Sequence, residues 1–279
     1  MRIALSIFLF EIALGGALFS FALRRDEQRP GAVVGGLFAL VTVAAMSLLM
    51  HAWRAIAPFE KSLILAIGAG CGLAWSAVVA RSMSGHPGRH GILRGGTLLF
   101  QLGLSAAAAW ALSLFFVQKY PGWPERVLLP RPAIFFSIGG GLLCGAILMH
   151  AAMLGLNELA CWKKEKGDEG ILRAGRFVCI GVALRAVFIL FSIVTGVVYM
   201  PLGMRAMIGS LRNETIATLL ARVMLGLILP FMYGMLAQAS VREHRRRQGA
   251  IQFIPIALLI LFGEMLGAGI TVGLWGLAL

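Results

Sequence analysis

The sequence predicts an all-α integral membrane protein, a polytopic bundle of about eight transmembrane helices with both termini on the outer, periplasmic side. Three observations predict it. The 279 residues are 59% hydrophobic and only 13% charged, with a mean hydropathy of +0.87. A soluble domain is about half apolar and about a quarter charged. The apolar residues also fall in long runs, and about 20 of them in a helix cross the ~30 Å hydrocarbon layer. Finally, arginine and lysine are gathered in alternate loops, as membrane topology demands.

Taken in order, the runs lie at about 3–23, 31–53, 62–83, 92–117, 132–157, 171–200, 213–240 and 250–277. In lipid a backbone must satisfy its own hydrogen bonds, so each run is expected to be a helix. The short alternating segments of a membrane β-barrel are missing. The first run follows Met1-Arg2 like a signal peptide, but it contains Glu11 and ends at Arg24-Arg25, where cleavage would need small residues. It reads as an uncleaved first span. The linkers are short, so the whole chain, 1–279, is expected to form one membrane domain.

The first, third, fifth and seventh loops hold fifteen of the 25 basic residues, among them Arg24, Arg81, Lys163, Arg173, Arg176, Arg242 and Arg245. The opposite side holds eight, among them Arg54, Lys61, Lys119 and Arg205. The bias places the odd loops in the cytoplasm and both termini outside. The same placement explains the net charge of +13 without nucleic acid, since no basic domain exists to form a groove. Trp53, Tyr120, Trp123, Tyr199 and Trp275 lie near outer span ends, as an interfacial aromatic belt or as a rim around a lipid-soluble ligand. Gly141-x-x-x-Gly145, Gly263-x-x-x-Gly267 and Gly269-x-x-x-Gly273 suit close helix crossings. Pro201 and Pro230 are read as lying near helix ends.

Ionisable residues inside apolar runs are paired or functional, because each costs a few kcal/mol at the bilayer centre. Four stand out: Glu11, Arg185, Arg222 and Glu264. They can form ion pairs in the bundle interior, or line a proton path or a polar ligand site. A second cluster stands at the outer end of the second span, where His51 is followed by Arg54, Glu60 and Lys61. Histidine exchanges protons near neutrality. His51 and His150 lie near opposite faces, so they cannot ligate one haem, and His86, His90 and His244 are read in loops. Cys71, Cys144, Cys161 and Cys179 have neither C-x-x-C nor C-x-x-C-H spacing, so no iron–sulfur cluster or covalent haem is expected in this chain. Walker, G-x-S-x-G and H-E-x-x-H motifs are missing.

Three stretches resemble one family. The first span, Ile7-Phe8-Leu9-Phe10-Glu11 with Gly15-Gly16, is similar to its opening helix. The end of the second span, Ser47-Leu48-Leu49-Met50-His51 then Arg54-Ala55, resembles its histidine followed by an Arg-Ala step. Phe262-Gly263-Glu264-Met265-Leu266-Gly267 resembles its closing Gly-Glu-x-x-Gly signature. The family is the membrane anchor subunit of dimethyl sulfoxide reductase and related molybdoenzymes, with polysulfide-reductase-type anchors as neighbours. The chain departs from it where Ala52-Trp53 replace a Leu-Gly-x-Pro step, where Ala268 stands in place of an arginine, and in the third-span acid, for which Glu60 is the nearest candidate.

The resemblance implies a quinol-binding anchor for anaerobic respiration, with no redox centre of its own. It implies that menaquinol binds near the outer face, with His51 as proton acceptor and Arg54 and Glu60 beside it. Electrons then pass to a docked four-cluster ferredoxin-like iron–sulfur subunit and on to a molybdopterin catalytic subunit. Glu264 is expected to be an intramembrane polar partner. The resemblance does not say whether this chain itself counts as an enzyme. The rival readings are a proton-coupled secondary transporter using Glu11, Glu264 and the two arginines, and an integral enzyme or assembly factor acting on a lipid.

Overall fold

The structure, a computed structural model, describes residues 2–22, 90–118, 131–160, 168–199 and 213–273. Among them the chain is almost wholly helical and contains no strand. The helices are α1 (Arg2–Ala22), α2 (His90–Gln118), α3 (Arg131–Ala160), α4 (Glu169–Tyr199), α5 (Asn213–Val223), α6 (Leu229–Arg242), α7 (Arg246–Ile251) and α8 (Phe253–Gly273). A single wide π turn, Met224–Ile228, joins α5 to α6 without a break. Helices thus lie over six of the expected runs. The runs at 31–53 and 62–83 fall outside the described residues.

Four stretches are long and apolar enough to cross a membrane: Ala133–Ala160, Glu169–Val194, Ile216–Arg242 and Arg246–Ile270. Helix α1 supplies a shorter apolar stretch, Ile3–Phe19. The reason these sequences are helical is the one that lipid imposes. Each carries bulky apolar residues around its whole circumference, and only a helix hides its own backbone there.

Helix α3 is the centre of the bundle. It packs against α1, α2, α4 and α8. Its apolar stretch is 61% buried, against 22% for Ile216–Arg242. Small residues let the neighbours come close. A side chain on Gly15 would meet Met149 and the Ala146 carbonyl, and one on Gly155 would meet the Phe253 ring. A large apolar core cluster is built from Phe19, Leu148, Val178, Ala237, Val241 and Phe253 among others, with His150 and Gln238 buried near it.

Two local features correct the sequence reading. Pro230 is not near a helix end: it lies inside the continuous helix from Asn213 to Arg242, directly after the π turn. A proline ring clashes with the carbonyl four residues back, here that of Gly226, and removes one ladder hydrogen bond. Widening the helix by one residue over 224–228 absorbs that clash. Likewise, Arg173 and Arg176 are not loop residues but occupy the first turns of α4, where both are exposed.

Helix α6 ends in a Schellman arrangement. The Arg245 amide donates to the Ser240 carbonyl at 2.8 Å, and the His244 amide donates to the Val241 carbonyl at 3.0 Å. His244 sits at φ 60°, the left-handed position usually given to glycine.

Candidate functional site: a buried charge quartet

The four ionisable residues singled out in the apolar runs meet at one place. Glu11 comes from the middle of α1, Arg185 from the middle of α4, Arg222 from the last turn of α5 and Glu264 from the middle of α8. All four are essentially inaccessible, between 0% and 1% exposed. Glu264 is the hub. Its Oε2 accepts from Arg185 Nη2 at 2.7 Å, and its Oε1 accepts from Arg222 Nη2 at 2.8 Å. Arg185 Nη1 also donates to the Gly141 carbonyl at 2.6 Å. Glu11 completes the group at longer range, its Oε1 lying 3.7 Å from Arg185 Nη2. That separation gives Coulomb attraction but no hydrogen bond.

The charges balance. Two guanidinium groups face two carboxylates, so the fully ionised quartet is neutral. A lone arginine at the bilayer centre costs roughly 2.5–3.5 kcal/mol on insertion scales. Pairing offsets that cost, and the two charge-assisted bonds of Glu264 are of the short, strong kind.

Glycine makes room for Glu11 and Arg222. A Cβ on Gly145 would run into the Glu11 carboxyl group. A Cβ on Gly226 would run into Arg222 Nη1, and one on Gly263 would meet both Gly226 and Arg222. The Gly263-x-x-x-Gly267 spacing therefore marks a real crossing at Gly263, where α8 lies against the π turn. In the Gly141-x-x-x-Gly145 pair, Gly141 supplies a carbonyl to Arg185 and Gly145 supplies space for Glu11. Gly269 departs from the expectation: nothing among the described residues lies within 4 Å of where its Cβ would be.

Satisfaction is incomplete among the described residues. Glu11 Oε2, Arg185 Nε, and Arg222 Nε and Nη1 are buried and make no hydrogen bond there. Buried polar atoms are nearly always paired. Glu11 is thus the loosest member. Its tie to the other three is the 3.7 Å approach of Oε1 to Arg185 Nη2.

A second feature lies beside the quartet. An open, almost wholly apolar pocket of about 370 Å³ is lined by Leu14, Ser105, Phe135, Gly140, Phe188 and Phe191 among others. Ser105 Oγ is buried at its edge without a partner among the described residues. Gly140 keeps the wall thin, because a side chain there would displace the Phe188 ring.

His51, Arg54 and Glu60, the expected quinol contacts, lie outside the described residues, as do His86, Cys71, Cys161 and the aromatic residues Trp53, Tyr120, Trp123 and Trp275. His150 is buried within α3, edge-on to Phe177 with ring centroids 5.3 Å apart. Cys144 and Cys179 are free thiols. Among the described residues no group of three His, Cys, Asp or Glu side chains is placed to hold a metal. Sequence reasoning missed Gly226 and the π turn. Pro230, four residues beyond Gly226, was the signal that could have found them. Compared with protein-family models, curated proteins and solved structures, the chain matches none.

Proposed function

We propose that this chain is the membrane anchor and quinol-binding subunit of a respiratory molybdoenzyme complex. In this reading it crosses the inner membrane eight times with both termini outside. Menaquinol gives up its proton at His51, with Arg54 and Glu60 beside it, and the electrons go to a docked iron–sulfur subunit. One observation carries the reading. Glu11 and Gly263-Glu264, from the two stretches that resemble the anchor family's opening and closing helices, converge on a single buried cluster. The pocket beside Gly139 and Gly140 offers apolar room for an isoprenoid tail.

Two measurements test it. Affinity purification in mild detergent is expected to bring down an iron–sulfur protein and a molybdenum or tungsten protein. In the assembled complex, His51→Ala is expected to abolish most quinol-dependent turnover while leaving the subunit ratio unchanged.

The transporter reading has one observation in its favour: a helix widened by a π turn next to a buried arginine whose Nε and Nη1 make no hydrogen bond among the described residues. π turns inside helices are frequent at functional sites. A chain that purifies alone and without iron, with solute uptake lost in Glu264→Gln, would replace the anchor reading by this one.

A further inference from the structure

Among the described residues, one face of α4 is left uncovered from Arg173 to Val194. Arg173, Arg176, Ile180, Leu184, Val187 and Phe191 recur at three- and four-residue spacing, and all are exposed. Residues so spaced share one helix face. The stripe changes character sharply: two arginines, then only apolar side chains. From Ile180 to Val194 it runs about 21 Å along the axis, more than half of the roughly 30 Å hydrocarbon layer.

At the basic end the surface is concave. An open pocket of about 350 Å³ is lined by Glu169, Leu172, Arg173, Arg176, Phe177 and Ile180. The Arg173 guanidinium stands 6.0 Å from the Phe177 ring centroid, which steadies it while leaving its N–H groups free. Neither Arg173 nor Arg176 makes an ion pair with another described residue. Glu169 at the rim offsets one of the two charges and leaves the pocket net positive. Close by, Arg246 lies 3.9 Å from Asp168, so the basic turn after α6 borders the same site. The charge distribution reads this end of the bundle as cytoplasmic, the side where anionic lipid is concentrated.

We propose that this pocket binds the phosphate of an anionic phospholipid, with an acyl chain lying along Ile180, Leu184, Val187 and Phe191. Arginine suits the phosphate because its planar fork gives paired N–H donors. The apolar stripe selects a lipid over a free anion, since a soluble phosphate gains nothing from it. The inference needs only that α4 faces the bilayer, so it stands or falls separately from the quinol reading.

The test uses the full chain in detergent. Retention of dioleoylphosphatidylglycerol and dioleoylphosphatidylcholine is measured by native mass spectrometry as each lipid is titrated. The anionic lipid is expected to be retained preferentially, and excess inorganic phosphate is expected not to displace it. Each arginine near a membrane surface strengthens anionic-lipid attraction about 5-fold, so Arg173→Gln with Arg176→Gln should weaken retention about 25-fold. Arg242→Gln removes one charge at the same end but outside the pocket, and should weaken retention by no more than about 5-fold, well short of the double variant. Equal retention of the two lipids by the unaltered chain overturns the proposal. So does displacement by inorganic phosphate, or undiminished retention by the double variant. If the double variant fails to fold, the headgroup preference and phosphate competition of the unaltered chain decide the matter.

Discussion

Replacing Glu264 with glutamine keeps the side-chain shape and removes one charge from the quartet. Arg185 and Arg222 then share only Glu11, which stands 3.7 Å from Arg185. The cluster changes from neutral to a net charge of +1. Breaking a buried pair by removing one partner costs about 3–5 kcal/mol. Neutral hydrogen bonds between membrane helices average only about 0.6 kcal/mol. The two scales differ enough to decide what holds the helices: uncompensated charge, or ordinary hydrogen bonding. Because both oxygens of Glu264 are engaged at 2.7 and 2.8 Å by two fully buried guanidinium groups, the larger scale is expected. The assay is unfolding in mixed micelles titrated with dodecyl sulfate and followed by circular dichroism. Glu264→Gln should lose about 3–5 kcal/mol. Adding Arg222→Gln restores neutrality, and the pair together should be less destabilised than Glu264→Gln alone. A single variant within about 1 kcal/mol of the parent, or a double variant whose loss equals the sum of the two singles, would refute the charge-balance argument.

Three further outcomes are expected. Gly226→Ala should destabilise the bundle by at least about 2 kcal/mol, on the scale of overpacking, whereas Gly269→Ala should be neutral or slightly stabilising. The same unfolding titration reads both, and equal effects would remove the close crossing from the account. His244→Gly relieves a left-handed residue and should raise stability by about 1 kcal/mol, a gain that a thermal melt would detect and that a fall in midpoint would contradict. Gly145→Ala pushes the Glu11 carboxyl away from Arg185, so it should lower stability by a similar amount when Glu11 is present and by clearly less in a Glu11→Gln background.

Much of the helical framework was legible because lipid makes a helix of almost any long apolar run. Glu11, Arg185, Arg222 and Glu264 were legible for the converse reason, since a charge in such a run stands out. Which of them meet was not legible. Helix rotation decides that, and helices that are apolar all round carry little periodicity to betray it. Gly226 shows the difficulty. Among 35 glycines nothing local distinguishes it from Gly269, yet one holds a crossing open and the other has no neighbour among the described residues. His244 was read correctly as lying between helices, but its backbone conformation follows from the α6 ending and not from its identity. The outer cluster of His51, Arg54 and Glu60 rests on the sequence alone.

The quartet also sets an order of events during biosynthesis. Glu11 enters the membrane long before Arg185 is made, and Glu264, the hub, arrives last. Until α8 is inserted, both arginines must wait in the bilayer without their principal counter-charge. Helix α8 therefore closes an electrostatic account opened by α1, and a chain that still lacks α8 can be told from one that has it by its uncompensated guanidinium groups. A chain stopped before Phe253 is expected to insert yet remain a target for membrane proteolysis. Pulse-chase lifetimes of the truncated and full-length chains would reveal this as a difference in turnover, and equal lifetimes would argue against it.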